Sequence, residues 1–555
     1  MDFKLGVGKS DFDVLRKAGN YYVDKTELIY ELVNDTDNIV TLFTRPRRFG
    51  KTLNMSMMES FFSIRRESRD VFEGLDIMEH EDFCREWMNQ YPVLFISLKD
   101  VEGDTFESAF KMLKARIADV CKDLSYLLEE KGMDPADVEI FQRLRYKTAD
   151  EEEVKNSLKT IMRMMYDVYG RETILLIDEY DVPIAKANDR RTAENDFYRQ
   201  MLDVIRGMVS IAVKDNRFLK FAVVTGCLRM AKESIFTGAN NFASYSVLDH
   251  RFSSYFGFSQ EEVLVMLKEA DREDKADIIR SWYDGYVFGN SYVYCPWDVI
   301  SYMSALLFDR NSKPKNYWKN TSGNEIIRVF VANQEFDVAD RFETLMNGGT
   351  IRQMISDDLT YEHMEDSEDN LWSVLLMTGY LTKADPEEEG DEVALKIPNE
   401  EIASIFRDKV ADHFRETMDR NVHKELMDAL WSGDEETAGT VLSDLLWETI
   451  SYNNYHENYY HAFLTGLFAG RSYGVTSDQE NGLGRTDIVI TDRKNRRAII
   501  IEAKKAENED DMEKACQEGK QQIIQKQYVR GLAGYRQILC YGVAFYQKTA
   551  LVRKL

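Results

Sequence analysis

Apolar residues gather in this chain in short blocks, each closed by polar residues. Asn38-Ile39-Val40-Thr41-Leu42-Phe43 reads as a buried strand, residues 44–50 as a loop, and Lys51-Thr52-Leu53-Asn54-Met55-Ser56-Met57-Met58 as the opening of a helix. Thr173-Ile174-Leu175-Leu176-Ile177 is a second buried strand and runs into Asp178-Glu179. Phe221-Ala222-Val223-Val224-Thr225-Gly226 is a third, with a polar tip. From 260 to 450 the pattern turns helical, and Gln260-Glu261-Glu262-Val263-Leu264 opens an amphipathic segment with Ser259 as its N-cap. Near the C-terminus, Ile488-Val489-Ile490 and Ala498-Ile499-Ile500-Ile501 flank the polar residues 492–497, the pattern of an antiparallel hairpin.

The hairpin carries the first candidate chemistry. If Thr491 pairs with Ala498, Asp487 faces Glu502, and directly opposed residues have Cβ atoms roughly 5 Å apart. Two carboxylates at that spacing suit one hard divalent cation, Mg²⁺ or Mn²⁺, with room for water and a scissile phosphate. Lys504 lies two residues beyond Glu502 and so shares its face of the strand. By spacing alone the same residues also describe an ordinary solvated rim.

Strand, loop and helix around Gly50-Lys51-Thr52 give the context of a phosphate-binding loop. Its amides and helix N-terminus would cradle phosphate, Lys51 would reach the β and γ oxygens, and Thr52 would ligate Mg²⁺. Arg45 stands where the full glycine pattern has its first glycine. Gly8-Lys9-Ser10 is a decoy, with no strand before it. Asp178 would complete the Mg²⁺ shell and Glu179 would polarise the attacking water, while Thr225 and Arg229 are placed to sense the γ-phosphate. Arg45, Arg47 and Arg48 bring positive charge to the loop and favour a nucleotide such as ATP, or equally would face nucleic acid or the acidic remainder of the chain.

Composition narrows the class. The chain has 555 residues, 44% hydrophobic and 30% charged with 8 prolines, which predicts several structured domains. No apolar run reaches about 18 residues, and Met1-Asp2-Phe3-Lys4-Leu5-Gly6 has no signal-peptide pattern, so no membrane partner and a cytoplasmic location are expected. The six cysteines are scattered singly, predicting buried reduced thiols rather than zinc sites. The net charge is −26, yet residues 451–555 hold 16 Lys and Arg against 12 Asp and Glu. The segment with the paired carboxylates is therefore the one suited to approach a polyanion. Residues 384–392 and 431–436 are the best linker candidates.

These residues also carry resemblances. Tyr21-Tyr22-Val23-Asp24-Lys25-Thr26, Arg45-Pro46-Arg47-Arg48-Phe49-Gly50-Lys51-Thr52, Leu176-Ile177-Asp178-Glu179-Tyr180-Asp181, and Thr225-Gly226 followed by residues 231–236 resemble the bacterial AAA-ATPase-like family, in which arginine replaces the first glycine. Elements of residues 282–297 and 317–324 are similar to the same family. Residues 457–464, 480–487 and 500–504 resemble the PD-(D/E)xK nuclease superfamily. The resemblance implies a P-loop αβα ATPase domain over 1–260 and a restriction-endonuclease-like domain over 446–555; the helical pattern between them reads as a mostly helical lid or connector over 261–445, giving an α/β chain of three parts. The resemblance further implies a metal site from Asp487 and Glu502, Lys504 as catalytic lysine, and Glu480 or Glu457 as a further acid. His461, one helical turn from Glu457, reads as a buried structural histidine, with a phosphate contact as the second reading. The function implied is ATP binding and hydrolysis coupled to a metal-dependent nuclease acting on nucleic acid, DNA ahead of RNA. The alternative is a nucleotide-dependent switch whose nuclease-like domain binds without cutting. AAA-like relatives assemble, so a homo-oligomer is among the implied states.

Overall fold

The computed structural model describes residues 3–34, 38–130, 132–189, 196–229, 242–318, 327, 339–356, 359, 367–388, 390, 392–417, 420–449, 457–468, 473–481 and 484–555. Residues 231–236 and 319–324, quoted above, lie outside it, as do the side chains of Glu457 and Glu480. The chain is mixed α/β and divides into two compact units. One comprises 1–318 and 352–399, the other 319–351 and 400–555. Among the described residues no helix is long and apolar enough to cross a membrane, and all six cysteines are buried thiols outside any disulfide.

The first unit is built on five parallel strands: β1 (Val40–Thr44), β2 (Val93–Ser97), β3 (Thr173–Asp178), β4 (Leu219–Gly226) and β5 (Phe242–Tyr245), in the order β2-β3-β4-β1-β5. Every residue of β1 and β3 is buried, as a parallel sheet covered on both faces requires. β4 separates the two strands that carry the nucleotide motifs. Its register places Thr225 beside Phe43, at the end of β1.

Helices from residues 106–169 and 197–213 pack onto this sheet. Leu113, Ile117, Leu158, Ile161, Met201 and Ile205 meet the strand side chains there in one large core. The Glu151–Tyr169 helix starts in a reciprocal cap between Asp150 and Glu153 and ends on Gly170, at φ +62.

A second core joins Val23 to Phe258, Val263, Met266, Tyr283, Tyr294, Val299 and Leu306, with Phe3, Leu5 and Tyr21 packed against it. The N-terminal segment thus folds with the helices after residue 258. Lys25 seals the contact, donating to Glu262 Oε1 at 2.5 Å and to Ser254 O at 2.9 Å. The hairpin of β6 (Tyr286–Phe288) and β7 (Ser291–Val293) and a small sheet of β8 (Ile351–Met354), β9 (Thr382–Lys383) and β10 (Glu392–Lys396) complete the middle of the chain.

The second unit carries another five-stranded sheet: β11 (Gly474–Asn481), β12 (Gly484–Asp492), β13 (Arg497–Lys505), β14 (Gln537–Tyr546) and β15 (Thr549–Lys554), in sequence order. All neighbours are antiparallel except β13 and β14, whose parallel connection is made by the Met512–Gln525 helix. That helix lies unusually close to the sheet. A Cβ on Gly542 would sit 2.2 Å from Cys516 O, so only glycine fits. The outer edge of β15 is covered by the Glu435–Thr449 helix. Ala550 N donates to Ser443 Oγ at 2.9 Å and Lys554 N to Glu435 Oε1 at 3.0 Å. Residues 431–436 turn the Arg420–Ser432 helix into this one through Gly433, at φ +82.

Candidate functional sites

At the end of β3, Asp178 is fully buried and gathers three hydroxyls. Thr52 Oγ1 donates to its Oδ2 at 2.9 Å, Thr225 Oγ1 to its Oδ1 at 2.6 Å, and Ser97 Oγ to its Oδ2 at 3.4 Å. Three segments therefore converge on one carboxylate of a fourth. Thr52 beside Asp178 is the hydroxyl-and-carboxylate pair that suits a hard cation. Glu179 follows in left-handed backbone, φ +53, a conformation that costs a side-chain-bearing residue on the order of 1 kcal/mol or more. Burial raises its carboxyl above the usual range, and the Lys51 ammonium pulls the other way.

Gly50 takes φ +80 at the N-cap of the Lys51–Phe62 helix, which turns the chain from loop into helix. Lys51 is buried and donates to the backbone oxygens of Arg45 at 2.9 Å and Pro46 at 2.8 Å. The loop arginines divide. The Arg45 side chain runs into the fold rather than toward the loop: Nη1 donates to Thr44 O and Tyr245 O, and the guanidinium stacks on Phe256 and Phe288. Burial lowers its pKa to about 10. The expected contribution of its charge to the phosphate loop is thus replaced by a tie between β1 and the end of β5. Arg48 lies over the Trp297 ring at 3.9 Å.

Asp181 was not among the expected site residues, yet it organises the sensor segment. Its buried Oδ2 accepts from Cys227 N at 2.9 Å and Leu228 N at 3.1 Å, and Tyr180 Oη donates to Leu228 O at 2.8 Å. Arg229 follows directly on this clamp. The sequence signal was the second acid after Asp178, in Asp178-Glu179-Tyr180-Asp181.

In the second unit the hairpin register agrees with the expected one. Ile488 pairs with Ile501, Thr491 with Ala498 and Asp492 with Arg497. The ladder stops one pair short of Asp487 and Glu502. Instead of facing Glu502 across a regular rung, Asp487 turns its Oδ2 to the backbone N–H of Ala503 at 2.8 Å. Glu502 is fully buried, and Lys504 Nζ stands 3.8 Å from its Oε1. Glu480 lies on β11 opposite Arg485, and Glu457 opens the Glu457–Phe468 helix.

Three further residues complete this neighbourhood. The Gln522 side-chain amide donates to Glu502 Oε1 and also reaches Tyr528 Oη at 3.3 Å. Burial pushes the Tyr528 phenol up; the Gln522 hydrogen bond opposes this, and the charges of Glu502 and Asp487 add to it. His461 Nε2 hydrogen-bonds Asp487 O at 2.8 Å, so this histidine fastens the backbone of a candidate ligand. Gln522 was detectable as a polar residue three positions after Gly519, on the buried stripe of its helix. Among the described residues no group of three or more His, Cys, Asp or Glu is placed to hold a metal ion. Asp487 and Glu502 are the acidic side chains of this neighbourhood, with Lys504 beside Glu502.

Residues 6–236 match the family described as "Predicted AAA-ATPase", AAA-ATPase-like. Residues 455–554 match the PD-(D/E)XK nuclease superfamily. The chain joins an AAA-ATPase-like domain to a PD-(D/E)XK-superfamily domain. The AAA-ATPase-like match spans Lys51, Asp178, Thr225 and Arg229, and the PD-(D/E)XK match spans Asp487, Glu502, Lys504 and Gln522. A protein of Azotobacter chroococcum mcd 1, named "Uncharacterized protein in vnfD 5'region", is similar along most of the chain. It is 24% identical over 506 residues, covering 88% of this chain and 87% of the relative. Both domains therefore fall in classes that support ATPase and nuclease-like function in general.

Proposed function

We propose that this protein binds and hydrolyses ATP in its AAA-ATPase-like domain and cleaves nucleic-acid phosphodiesters, DNA before RNA, in its PD-(D/E)XK domain. Its setting would be the cytoplasm. The observation that carries the nuclease reading is the buried Glu502 carboxylate 3.8 Å from Lys504 Nζ, on a strand to which Asp487 is tied through Ala503 N. A buried carboxylate is costly unless cationic or hydrogen-bonding groups repay it; Lys504 and the Gln522 amide lie against Glu502, and a cation held with Asp487 would add to that compensation.

Asp487 and Glu502 are the residues to hold Mg²⁺ or Mn²⁺, which when bound supplies an activated water and neutralises phosphate charge. Lys504 orients that water or holds the scissile phosphate. Glu457 and Glu480 are candidate further acids. In the other domain, Gly50, Lys51 and Arg48 hold the phosphates, Thr52 and Asp178 hold Mg²⁺, and Glu179 polarises the attacking water. Thr225 and Arg229 read the γ-phosphate.

The test incubates the wild-type protein with circular DNA, linear DNA and RNA, with Mg²⁺ or Mn²⁺, with and without ATP. Cleavage that disappears in Glu502→Ala but not in the ATP-binding assay supports the reading; retained cleavage in that variant refutes the site. A second reading, binding without cutting, draws on the engagement of Glu502 by Gln522. It predicts nucleic-acid retention at low salt with no cleavage under any metal.

A further inference from the structure

Aromatic residues from later in the chain pin the phosphate loop at several points. Phe49 is fully buried against Tyr286 and Phe288, with ring centroids 5.0 and 4.9 Å away. Arg48 adopts φ +74, left-handed backbone that a residue with a side chain takes only against an energetic cost. Its guanidinium lies 3.9 Å from the Trp297 ring centroid, and Cys295 Sγ donates to its backbone oxygen at 3.8 Å. Trp297 Nε1 is buried and has no hydrogen-bond partner among the described residues. A buried indole N–H usually finds an acceptor, so this indole is placed for its face. Lys51, meanwhile, is satisfied by two carbonyls of the same loop.

We propose that Trp297 is a positioning residue that parks Arg48, and that the phosphate chain of a bound nucleoside triphosphate competes with the indole for the guanidinium. The inference rests on the ATP reading above. Trp297 sits in the first turn of the Pro296–Phe308 helix, whose Val299, Tyr302, Met303 and Leu306 belong to the second core. Departure of the Arg48 guanidinium removes one of the contacts that hold this turn to the loop. Nucleotide occupancy is thereby passed to the helices after residue 258.

The test is calorimetric titration of the full chain with MgATP. Trp297→Leu should bind about three- to ten-fold tighter than wild type, the span that a lost competing cation–π contact supports. Trp297→Phe, which keeps a ring face, should stay near wild type, and Trp297→Leu in an Arg48→Ala background should change nothing. Weaker or unchanged binding in Trp297→Leu, or equal tightening without Arg48, overturns the proposal. Hydrogen exchange on the wild-type chain gives a readout that needs no folded Trp297 variant. Amides of residues 297–300 should exchange faster when ATP is added, and not in Arg48→Ala; unchanged exchange in wild type overturns the proposal too. If wild-type protein binds no ATP, the ATP reading falls and takes this inference with it, an outcome distinct from a wild type that binds and a Trp297→Leu that does not tighten.

Discussion

Asp487 accepts the backbone N–H of Ala503 through Oδ2 at 2.8 Å, and Ala503 stands between Glu502 and Lys504. One side chain thus fixes its own carboxylate relative to both other members of the candidate nuclease site. Asp487→Asn keeps an oxygen for that amide and loses the charge. It should fold with stability within about 1 kcal/mol of wild type while losing metal-dependent cleavage. Asp487→Ala should lose cleavage and roughly a further 1 kcal/mol, because the Ala503 amide is left without its acceptor. Urea denaturation with a nuclease assay on both variants separates the two effects.

Gln522 orients Glu502 from the helix above the sheet. Residues in that position relative to a metal ligand are worth roughly 10- to 100-fold in metal affinity. Gln522→Ala should therefore raise the Mn²⁺ concentration needed for half-maximal cleavage by about that factor, with the maximal rate less affected. An unchanged Mn²⁺ dependence would separate Gln522 from the site.

Gly542 is the residue that lets the Met512–Gln525 helix approach Glu502. It pairs in register with Glu502, and a Cβ on it would meet Cys516 O. Backbone cannot swing aside as a flexible side chain does. Gly542→Ala should cost about 1–3 kcal/mol and reduce cleavage by lifting Gln522 away. A thermal melt equal to wild type would show that the helix tolerates the methyl group.

Glu179 gives a pH signature. Its folded carboxyl titrates above the unfolded one, so its ionisation costs stability once pH exceeds the folded pKa, and the cost vanishes below the unfolded pKa. Glu179→Gln should be more stable than wild type at pH 8, with the gap closing as the pH is lowered toward 5, while ATP binding persists and hydrolysis stops. Urea midpoints at the two pH values decide this, and a gap that widens toward pH 5 contradicts it.

Local signals in the sequence proved strong where chemistry and strand register share a few residues. The apolar blocks at 38–43, 173–178 and 221–226 became β1, β3 and β4, and the Thr491–Ala498 pairing became the β12–β13 ladder. The misses are non-local. Nothing near Asp487 announces that its rung is replaced by a bond to Ala503 N, because that depends on where the two strands diverge. Arg45 read as loop charge, since a sequence does not show Tyr245 O and Phe256 waiting for it 200 residues on. Gln522 and Asp181 stand in plain view as polar residues, but only the helix above Glu502 and the clamp on Cys227 give them roles.

The covered edge of β15 bears on where this protein can be cut. The PD-(D/E)XK match begins at residue 455, whereas Ser443 and Glu435, which occupy the outer amides of β15, lie upstream of it. A fragment starting at 455 would present those amides to solvent as a ready template for another strand. Self-association of such a fragment would then report a missing helix and not an assembly habit of the whole chain.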